Sequence, residues 1–537
     1  MLFNSPEFLV FLAVVYTAYR LLPFRLQNYM LIGAGYFFYG WWDWRFVFLM
    51  TFSTTMDFWV GLTMDRGKLA LRERVIPSAF LVATAAIFLG LRPKSWLLGE
   101  GPPVAWPTMG WAVGGALAFL VVAYTVYQQI IRLPEDKRRF ACLMVSVITQ
   151  IGILSTFKYF NFFVDSLTTV IQQLGFSPIG LHLSLILPVG LSFYTFQSLS
   201  YAMDIYRREI KPTDRFSNFA LFVAFFPLLV AGPIERARHL LPQLSNPRTI
   251  RFEDSTRGLY LIVLGLFKKV AIADGVAPVV DQIYGSSGHI SWADVVVGTL
   301  LFAVQIYCDF SGYSDIARGV AKLLGVDVMV NFNQPYFAKN PREFWQRWHI
   351  SLSTWLSDYL YKPLGGNRGS LAFTCRNLMT TMILGGLWHG AAWNYVFWGF
   401  YQGALLCVHR VWTAVRGPAN PVRPALVNLA LIGIFFVFTC YGWLLFRAHS
   451  FDQIASFTSV LFTGFGDFSF GASMPRISAF LGIGLLGMME VAQYWTGDAH
   501  YYRRFALPLQ GLMVAAMIFI TFMGMSNEPA QFIYFQF

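Results

Sequence analysis

The chain has 537 residues, of which 56% are hydrophobic and only 13% are charged. Soluble domains carry about 25% charged residues and about 45–50% apolar ones, so this composition excludes a soluble globular particle and indicates a polytopic membrane protein in contact with lipids. The net charge of +12 fits the excess of Lys and Arg in cytoplasmic loops. Because the basic residues lie between apolar segments, a nucleic-acid-binding face is not expected. The five Cys residues form no C-x-x-C pair and indicate no metal site.

Apolar runs predict seven spans in the first part of the chain. They lie near 7–23, 29–41, 46–63, 76–91, 108–131, 141–164 and 181–205. Clusters of Lys and Arg occur in the loops to which the chain returns after each outward and inward crossing, as in "DRGKLALRER". We place these basic loops in the cytoplasm. The first run has no basic segment before it and no small-residue cleavage site, so it is predicted to be a span with the N-terminus outside.

Two later apolar segments are predicted to pack inside the protein. The run 217–232 is short for a crossing, which needs about 20 residues, and it ends at a Gly-Pro pair with basic residues on both flanks. We interpret it as re-entrant. Irregular backbone at membrane depth requires burial in protein or a wet cavity, so this segment suggests an internal cavity. The segment 258–283 carries Lys268, Lys269 and Asp274 and is also expected to be buried.

The second half contains the longest polar interruption. A span near 293–308 precedes the polar segment 331–376, which we place in the cytoplasm, and a Gly-interrupted helical pair covers 377–412. Further spans are predicted near 427–446, 477–495 and 507–525. The prediction is an all-α protein of roughly eleven transmembrane helices plus re-entrant helices. We expect a single membrane domain over 1–537, comprising N-terminal spans (1–140), a catalytic core (141–412) and C-terminal spans with an aromatic tail (413–537), and both termini extracytoplasmic.

Two histidines stand in unusual surroundings. His349 lies in "EFWQRWHISLSTW" and His389 in "GGLWHGAAWNYVFWG", each directly after a Trp. Ionisable side chains in an apolar chain default to functional candidates. A buried imidazole with satisfied hydrogen bonds is the ordinary alternative. Glycines around His389 allow close backbone approach and exposure to a cavity, and the lack of a carboxylate-rich ligand set favours acid–base chemistry over a metal site.

Two further polar motifs leave alternatives open. "YCDFSGYSDIARG" brings together Asp309, Ser311, Ser314 and Asp315, which either cap a helix or line the same cavity. "KPLGGNRGS" joins a Gly-rich turn to basic residues and could cradle a phosphate through backbone N–H groups. It matches neither the P-loop nor the dinucleotide fingerprint, so a plain turn is the simpler interpretation.

Long stretches of the sequence resemble the membrane-bound O-acyltransferase family. The similarity is carried by "NFNQPYFAKNPREFWQRWHISLSTWLSDYLYKPLGGNRGS", "MILGGLWHGAAWNYVFWG", "YCDFSGYSDIARG", "LPVGLSFYTFQSLSYAMDIYR" and "AGPIERARHL". It is closest to the branch of bacterial alginate O-acetyltransferase membrane subunits and covers most of the chain. The region 65–140 departs from that branch in looking longer, which leaves the polymer substrate open.

The resemblance implies a function and roles for named residues. His389 matches the invariant catalytic histidine of the family, and His349 matches its second histidine. The expected donor is acetyl-CoA in the cytoplasm, with no metal. Its acetyl group is expected to cross the membrane through a central tunnel to an extracytoplasmic serine-type (SGNH-like) acetyltransferase, which acetylates an exported, alginate-like polysaccharide. Localisation in the bacterial cytoplasmic (inner) membrane follows.

Further residues are assigned by charge or position. Basic and polar candidates for the CoA site are Lys362, Arg368, Arg347 and Asn333, and further candidates for the cavity lining are Trp388 and Asn394. The alternatives are acetylation of cellulose or peptidoglycan by the same mechanism, D-alanyl transfer from a carrier protein, and a proton-coupled transporter, since intramembrane His and Asp also mark proton relays.

The aromatic tail "FIYFQF" supplies one more candidate. Tyr534 is predicted to lie outside, where its phenol could accept the acyl group. A phenyl ester is a better donor than an alkyl ester because phenoxide, with a parent pKa of about 10, is the better leaving group. The pattern F-x-Y-x-x-F resembles a tyrosine motif of extracytoplasmic acyl relay systems, and Phe532, Phe535 and Phe537 would dock the tail in an apolar groove. The alternative is an interfacial aromatic anchor.

Overall fold

The regular elements of the described chain are helices. The computed structural model describes residues 1–92, 99, 101–178, 180–286, 288–417, 424–526 and 531–533. By backbone contacts the chain divides into two compact units. The first unit comprises Met1–Arg251 and Leu323–Val328, and the second comprises Phe252–Lys322 and Met329–Phe537. A chain in lipid must satisfy its backbone hydrogen bonds internally, which helices do. The predicted all-α class is therefore confirmed, while the division at 140 and 412 stays a prediction.

Ten α-helices lie in the described residues of the first unit. In chain order, α1 to α10 are Pro6–Leu21, Phe24–Asp43, Val47–Arg66, Leu71–Gly90, Trp106–Ile130, Glu135–Leu154, Phe160–Gln173, Leu191–Tyr206, Phe216–Ala224 and Ala237–Ser245. A π-helical turn, Ser155–Tyr159, joins α6 to α7. Helix α9 and the 3-10 turn Phe226–Leu228 form the short apolar segment predicted to lie inside, and they are buried almost throughout.

A buried carboxylate connects α3 to α6 in the first unit. Asp57 accepts hydrogen bonds of 2.6 Å from the Ser146 hydroxyl and of 2.6 Å from the Gln150 amide, and Gln150 also donates to Ser53. All four side chains are buried. Polar side chains in an apolar setting stabilise only when they are hydrogen-bonded to one another, so this network specifies which faces of α3 and α6 meet.

In the second unit, the part of the chain that the structure describes contains eleven α-helices. In chain order, α11 to α21 are Phe252–Leu266, Asp274–Tyr284, Trp292–Leu323, Pro341–Arg347, Ile350–Leu356, Leu371–His389, Trp393–Arg416, Ala425–Arg447, Phe451–Thr463, Ile477–Thr496 and Leu507–Gly524. A π-helical segment, Phe267–Ala273, joins α11 to α12 and carries both buried lysines. Lys268, Lys269 and Asp274 are buried, as the sequence predicted.

Helices α11 and α13 approach each other through two pairs of glycines. A Cβ added at Gly265 would lie 2.4 Å from the carbonyl oxygen of Gly312, and one added at Gly319 would lie 2.6 Å from that of Gly258. The pairs are seven residues apart on both helices and run in opposite directions, as antiparallel neighbours require. Small residues at such intervals let helix backbones pack closely in membranes. Two of these glycines belong to the "SGYSDIARG" part of the α13 motif.

Eight helical stretches of the described chain are long and apolar enough to cross a membrane, so the chain is a multi-pass membrane protein. They are Phe24–Arg66, Leu71–Gly90, Trp106–Ile130, Glu135–Gln173, Trp292–Leu323, Ala425–Arg447, Ile477–Thr496 and Leu507–Gly524. The estimate of roughly eleven crossings is not confirmed.

Two predicted boundaries were wrong. The span near 181–205 is helical only from Leu191. The span near 293–308 continues to Leu323, because its polar residues find buried partners on neighbouring segments of the second unit.

The close approach of α11 and α13 at their glycine pairs predicts that a larger residue there lowers the stability of the second unit. Gly265→Ala should destabilise the second unit by about 1–3 kcal/mol, because its methyl group would meet a backbone carbonyl that cannot move away cheaply. Gly433→Ala in α18 is the matched control, since a Cβ there has open space. Both changes add the same helix propensity. Thermal unfolding in detergent should show a lower melting temperature for Gly265→Ala alone, and equal melting temperatures would contradict the packing.

Candidate active site

His389 is the last residue of α16 and lies in an aromatic enclosure. Its ring centroid is 4.9 Å from that of Trp388, 5.1 Å from Trp398 and 5.4 Å from Phe446, in edge-to-face geometry with each. The side chain is 4% exposed. The C-terminal end of a helix carries partial negative charge, which stabilises a cation placed there. A proton taken up by His389 during a reaction would therefore be stabilised.

Glycines on both sides of His389 permit this arrangement. A Cβ at Gly386 would lie 2.2 Å from the Tyr395 carbonyl oxygen, and one at Gly399 would lie 2.4 Å from that of Met382, so α16 and α17 touch backbone to backbone. A Cβ at Gly390 would strike the Tyr395 ring at 2.2 Å. The glycines of "GGLWHG" thus set the position of the imidazole by allowing close helix contact.

His349 is fully buried between α14 and α15, and its tautomer follows from its neighbours. The Asn331 side-chain oxygen accepts from the Ser351 backbone N–H at 3.2 Å and lies 3.1 Å from His349 Nδ1, while the Asn331 amide nitrogen donates to Ser314 at 3.2 Å. Because the backbone N–H can only donate, the atom facing Nδ1 is an acceptor. Nδ1 therefore carries the proton in the neutral ring, and Nε2 carries the lone pair. Nε2 is buried, with no hydrogen-bond partner among the described residues.

Trp388 brings the two histidines together. Its ring lies 6.0 Å from that of His349 and 4.9 Å from that of His389. Residues separated by 40 positions thus share contact with one indole ring. A further edge-to-face contact of 4.6 Å joins His349 to Phe310 on α13. The two imidazoles are buried among largely apolar side chains, here together called the chamber, where electrostatic interactions are strong.

The polar motif on α13 does not cap a helix, so that interpretation was wrong. Asp309, Ser311, Ser314 and Asp315 lie in the interior of a 32-residue helix. Ser314 contacts the site by accepting the Asn331 hydrogen bond. The Ser311 hydroxyl is buried and has no hydrogen-bond partner in the part of the chain that the structure describes.

The two aspartates of this motif pair with the buried lysines. Asp315 accepts from Lys268 at 2.8 Å, and Asp309 lies 2.7 Å from Lys269, which also contacts Asp274 at 2.8 Å. Buried charges require such pairing. Asp309 and Asp315 therefore join α13 to the π-helical segment and to the start of α12.

The described part of the aromatic tail enters the interior of the second unit. The Ile533 backbone N–H donates to Asp309 Oδ2 at 2.6 Å. The Phe532 ring lies 4.4 Å from Tyr313 and 6.0 Å from Phe310. Since Phe310 also contacts His349, the tail approaches the second histidine through one intervening ring. Tyr534 lies outside the described residues.

Of the CoA candidates, Lys362, Arg368 and Asn333 are exposed and Arg347 is half-buried. Lys362 pairs with Asp358 at 2.6 Å, Arg347 pairs with Glu343 at 2.8 Å, and Arg368 is exposed after the Gly-rich turn. Asn333 donates its backbone N–H to the Arg347 carbonyl at 2.9 Å, and its own carbonyl accepts from the Arg347 guanidinium at 3.3 Å. Their assignment to the donor stays a prediction.

Asn394, the last predicted lining residue, has a contact of its own. Its side chain donates to the Ala448 carbonyl at 2.9 Å and thereby ties the start of α17 to the end of α18.

Sequence reasoning missed several residues of this site. Asn331 fixes His349, and Phe310, Trp398 and Phe446 form walls around the two imidazoles. Asn331 lies in a polar segment that hydropathy assigns to the cytoplasm. The position of an Asn two residues before another Asn carries no local signal, so only the fold could reveal it.

Comparisons with known proteins agree with the motifs. A model of the MBOAT, membrane-bound O-acyltransferase, family matches residues 213–451. A probable alginate O-acetylase, AlgI, of Azotobacter vinelandii is 36% identical over 472 residues, covering 87% of this chain and 79% of the relative. AlgI of Pseudomonas putida is 33% identical over both full lengths. A peptidoglycan O-acetyltransferase of Helicobacter pylori is 33% identical over 360 residues, covering 62% and 67%.

The burial of His349 leads to a pH prediction. Desolvation lowers the pKa of this imidazole, which lies outside the eight candidate spans, to about 3. The unfolded chain, with an ordinary pKa near 6.5, binds more protons below that pH, so the stabilisation is present above pH 6.5 and is lost as pH falls towards 3. From pH 7 to pH 5 the free energy of unfolding should fall by about 2 kcal/mol on account of this residue.

Thermal unfolding of the wild type and of His349→Gln between pH 7 and pH 5 measures this effect. The wild type should lose more stability over that interval than the variant. An equal loss in both proteins would show that His349 protonates freely in the folded state.

Proposed function

The chain belongs to the membrane-bound O-acyltransferase family and is an O-acyltransferase, and from that premise we propose that it transfers acetyl from cytoplasmic acetyl-CoA across the inner membrane for O-acetylation of an exported, alginate-like polysaccharide. The observation that carries the proposal is the shared contact of His349 and His389 with Trp388 in a buried chamber. The AlgI relatives, named for alginate O-acetylation, support the acceptor.

The proposed chemistry is acyl transfer from a thioester to a hydroxyl. His389 takes the proton of the attacking hydroxyl as its oxygen adds to the acetyl carbonyl carbon. The C–S bond then breaks, an oxygen ester forms, and the proton passes to the departing CoA thiolate. His349 acts as a neutral imidazole whose Nε2 accepts a hydrogen bond from an amide N–H of the pantetheine arm and orients the thioester. Exclusion of water from the chamber protects the thioester against hydrolysis.

The first acceptor in this proposal is the phenol of Tyr534. Ile533, its neighbour in sequence, donates its backbone N–H to Asp309 in the interior of the second unit, and Phe532 packs on Tyr313 and Phe310. These contacts support delivery of the tail to the reaction chamber. The phenyl ester would then load the serine of an SGNH-like extracytoplasmic transferase, which acetylates the polymer. Both termini lie outside the cytoplasm in this arrangement.

A second acceptor class has support of its own. The Helicobacter pylori relative is named a peptidoglycan O-acetyltransferase and covers 62% of this chain. Assays that offer the extracytoplasmic transferase either alginate or peptidoglycan fragments separate the two polymers. D-alanyl transfer would instead require a loaded carrier protein, which acetyl-CoA binding to the purified chain would exclude as the sole donor.

Replacement of the base gives the first functional prediction. His389→Ala should lower the rate of acetyl transfer by at least about 10²-fold, because general base catalysis contributes that much, while the protein still folds and binds CoA. His289→Ala is the matched control, since that imidazole is 81% exposed and pairs with Asp467. Transfer of radiolabelled acetyl from acetyl-CoA measures the effect. Normal transfer by His389→Ala would overturn the assignment.

A separate substitution tests the relay. Tyr534→Phe keeps the ring and any anchoring contacts but removes the nucleophile, so polymer acetylation should stop. Removal of residues 532–537 should have the same effect. Tyr29→Phe, an exposed tyrosine in the first unit, should be neutral. Intact-protein mass spectrometry should detect acetyl on the wild type and not on Tyr534→Phe. Normal polymer acetylation by Tyr534→Phe would leave the tail as an anchor only.

A further inference from the structure

The region 65–140, which the sequence sets apart, helps to form a large apolar cavity in the first unit that is open to the exterior, since the lining residues Val121, Val122 and Ile148 are exposed. The cavity has a volume of about 1130 Å³ and lies between α3, α4, α5 and α6. Its walls are mostly aliphatic, as at Val75, Val82, Leu120 and Val126. The volume exceeds the roughly 300–1,000 Å³ of ordinary small-molecule sites, and nothing in the proposed acetyl transfer uses this space.

The length of the cavity matches one leaflet of a bilayer. Its lining on α4 runs from Leu71 to Ala83, which corresponds to about 18 Å along a helix axis. Half of a hydrocarbon core of about 30 Å is about 15 Å. All four lining helices belong to candidate spans. Helix α5 is accessible over most of its length, since Ala116 is the one residue of this helix that is buried. A hydrocarbon chain entering from the bilayer would therefore find an apolar space of the right depth.

One end of the cavity carries a positive charge without a counter-charge. Arg74 lines that end and donates to the Tyr124 hydroxyl at 3.4 Å. Its Nε is buried with no hydrogen-bond partner among the described residues, and within them no carboxylate pairs with it. The neighbouring Arg66, in contrast, pairs with both Glu73 and Asp214. An anion at this end would complete the hydrogen bonding of Arg74.

We propose that this cavity is a binding site for an anionic phospholipid. One acyl chain fills the apolar space between α3, α4, α5 and α6, and the phosphate contacts Arg74 beside the Tyr124 and Tyr127 hydroxyls. Basic pockets between transmembrane helices bind anionic head groups in this way. The clustering of Arg66, Lys68 and Arg72 at the same end assigns the lipid to the cytoplasmic leaflet. The site is independent of the acetyl-transfer chemistry.

The full chain, purified in mild detergent and titrated with phosphatidylglycerol or phosphatidylcholine, tests the site by native mass spectrometry. The wild type should retain one phosphatidylglycerol in preference to phosphatidylcholine. Arg74→Gln should weaken that binding by about fivefold or more, and Arg74→Lys should largely restore it. Arg72→Gln is the matched control, because Arg72 lies two residues away on α4 and does not line the cavity.

A second pair of variants tests the place of the acyl chain. Ala79→Trp fills the cavity and should displace the lipid, whereas Ala13→Trp on the exposed face of α1 should not. Inorganic phosphate at millimolar concentration should not compete, since the chain supplies much of the binding. Equal effects of Arg74→Gln and Arg72→Gln, equal retention of the two lipids, or unchanged retention by Ala79→Trp would each overturn the proposal.

Discussion

The candidate site depends on the hydrogen bonds of the Asn331 side-chain amide. Its oxygen accepts from Ser351 and faces His349, and its nitrogen donates to Ser314. One amide thus sets the proton position on a buried imidazole and joins the polar segment 331–376 to α13. Asn331 is buried, and a buried amide with both ends engaged in hydrogen bonds has a single favoured orientation. The chemical character of His349 therefore originates in a residue that has no acid–base function itself.

Helix α13 can perform this role because its charges are compensated. Asp309 and Asp315 would be costly in the middle of an apolar span, but Lys268 and Lys269 on the π-helical segment neutralise them. The extra residue per turn in π-helical segments disturbs the regular side-chain spacing, and here two successive lysines both reach α13. The glycine pairs then bring α11 close enough for these contacts. Close packing and charge compensation therefore support each other in the second unit.

The sequence predicted those parts of the fold that depend on local composition. The span near 108–131 is observed as Trp106–Ile130, because hydropathy follows directly from a continuous apolar run. The prediction ended at position 308 in α13 because the following aspartates look polar, and their lysine partners are distant in sequence. The sequence singles out the two histidines by the Trp before each of them and, at His389, by the neighbouring glycines, and their catalytic roles stay predictions. Their common contact with Trp388, the part played by Asn331 and the position of Ile533 required tertiary structure, since none has a periodic or compositional signature.

The backbone of His349 has a positive φ, which is uncommon for a residue with a side chain. Its φ of 42° and ψ of 55° lie in the left-handed region, where a residue with a Cβ is disfavoured relative to Gly by about 1 kcal/mol or more, although His, Asn and Asp occur there more often than other such residues. The chain thus holds an imidazole where its own conformational preference opposes one. Selection for thermal stability and selection for catalytic turnover then favour different residues at position 349. A laboratory evolution experiment that rewards heat resistance alone would tend towards Gly at position 349, and would discard the lone pair of the imidazole.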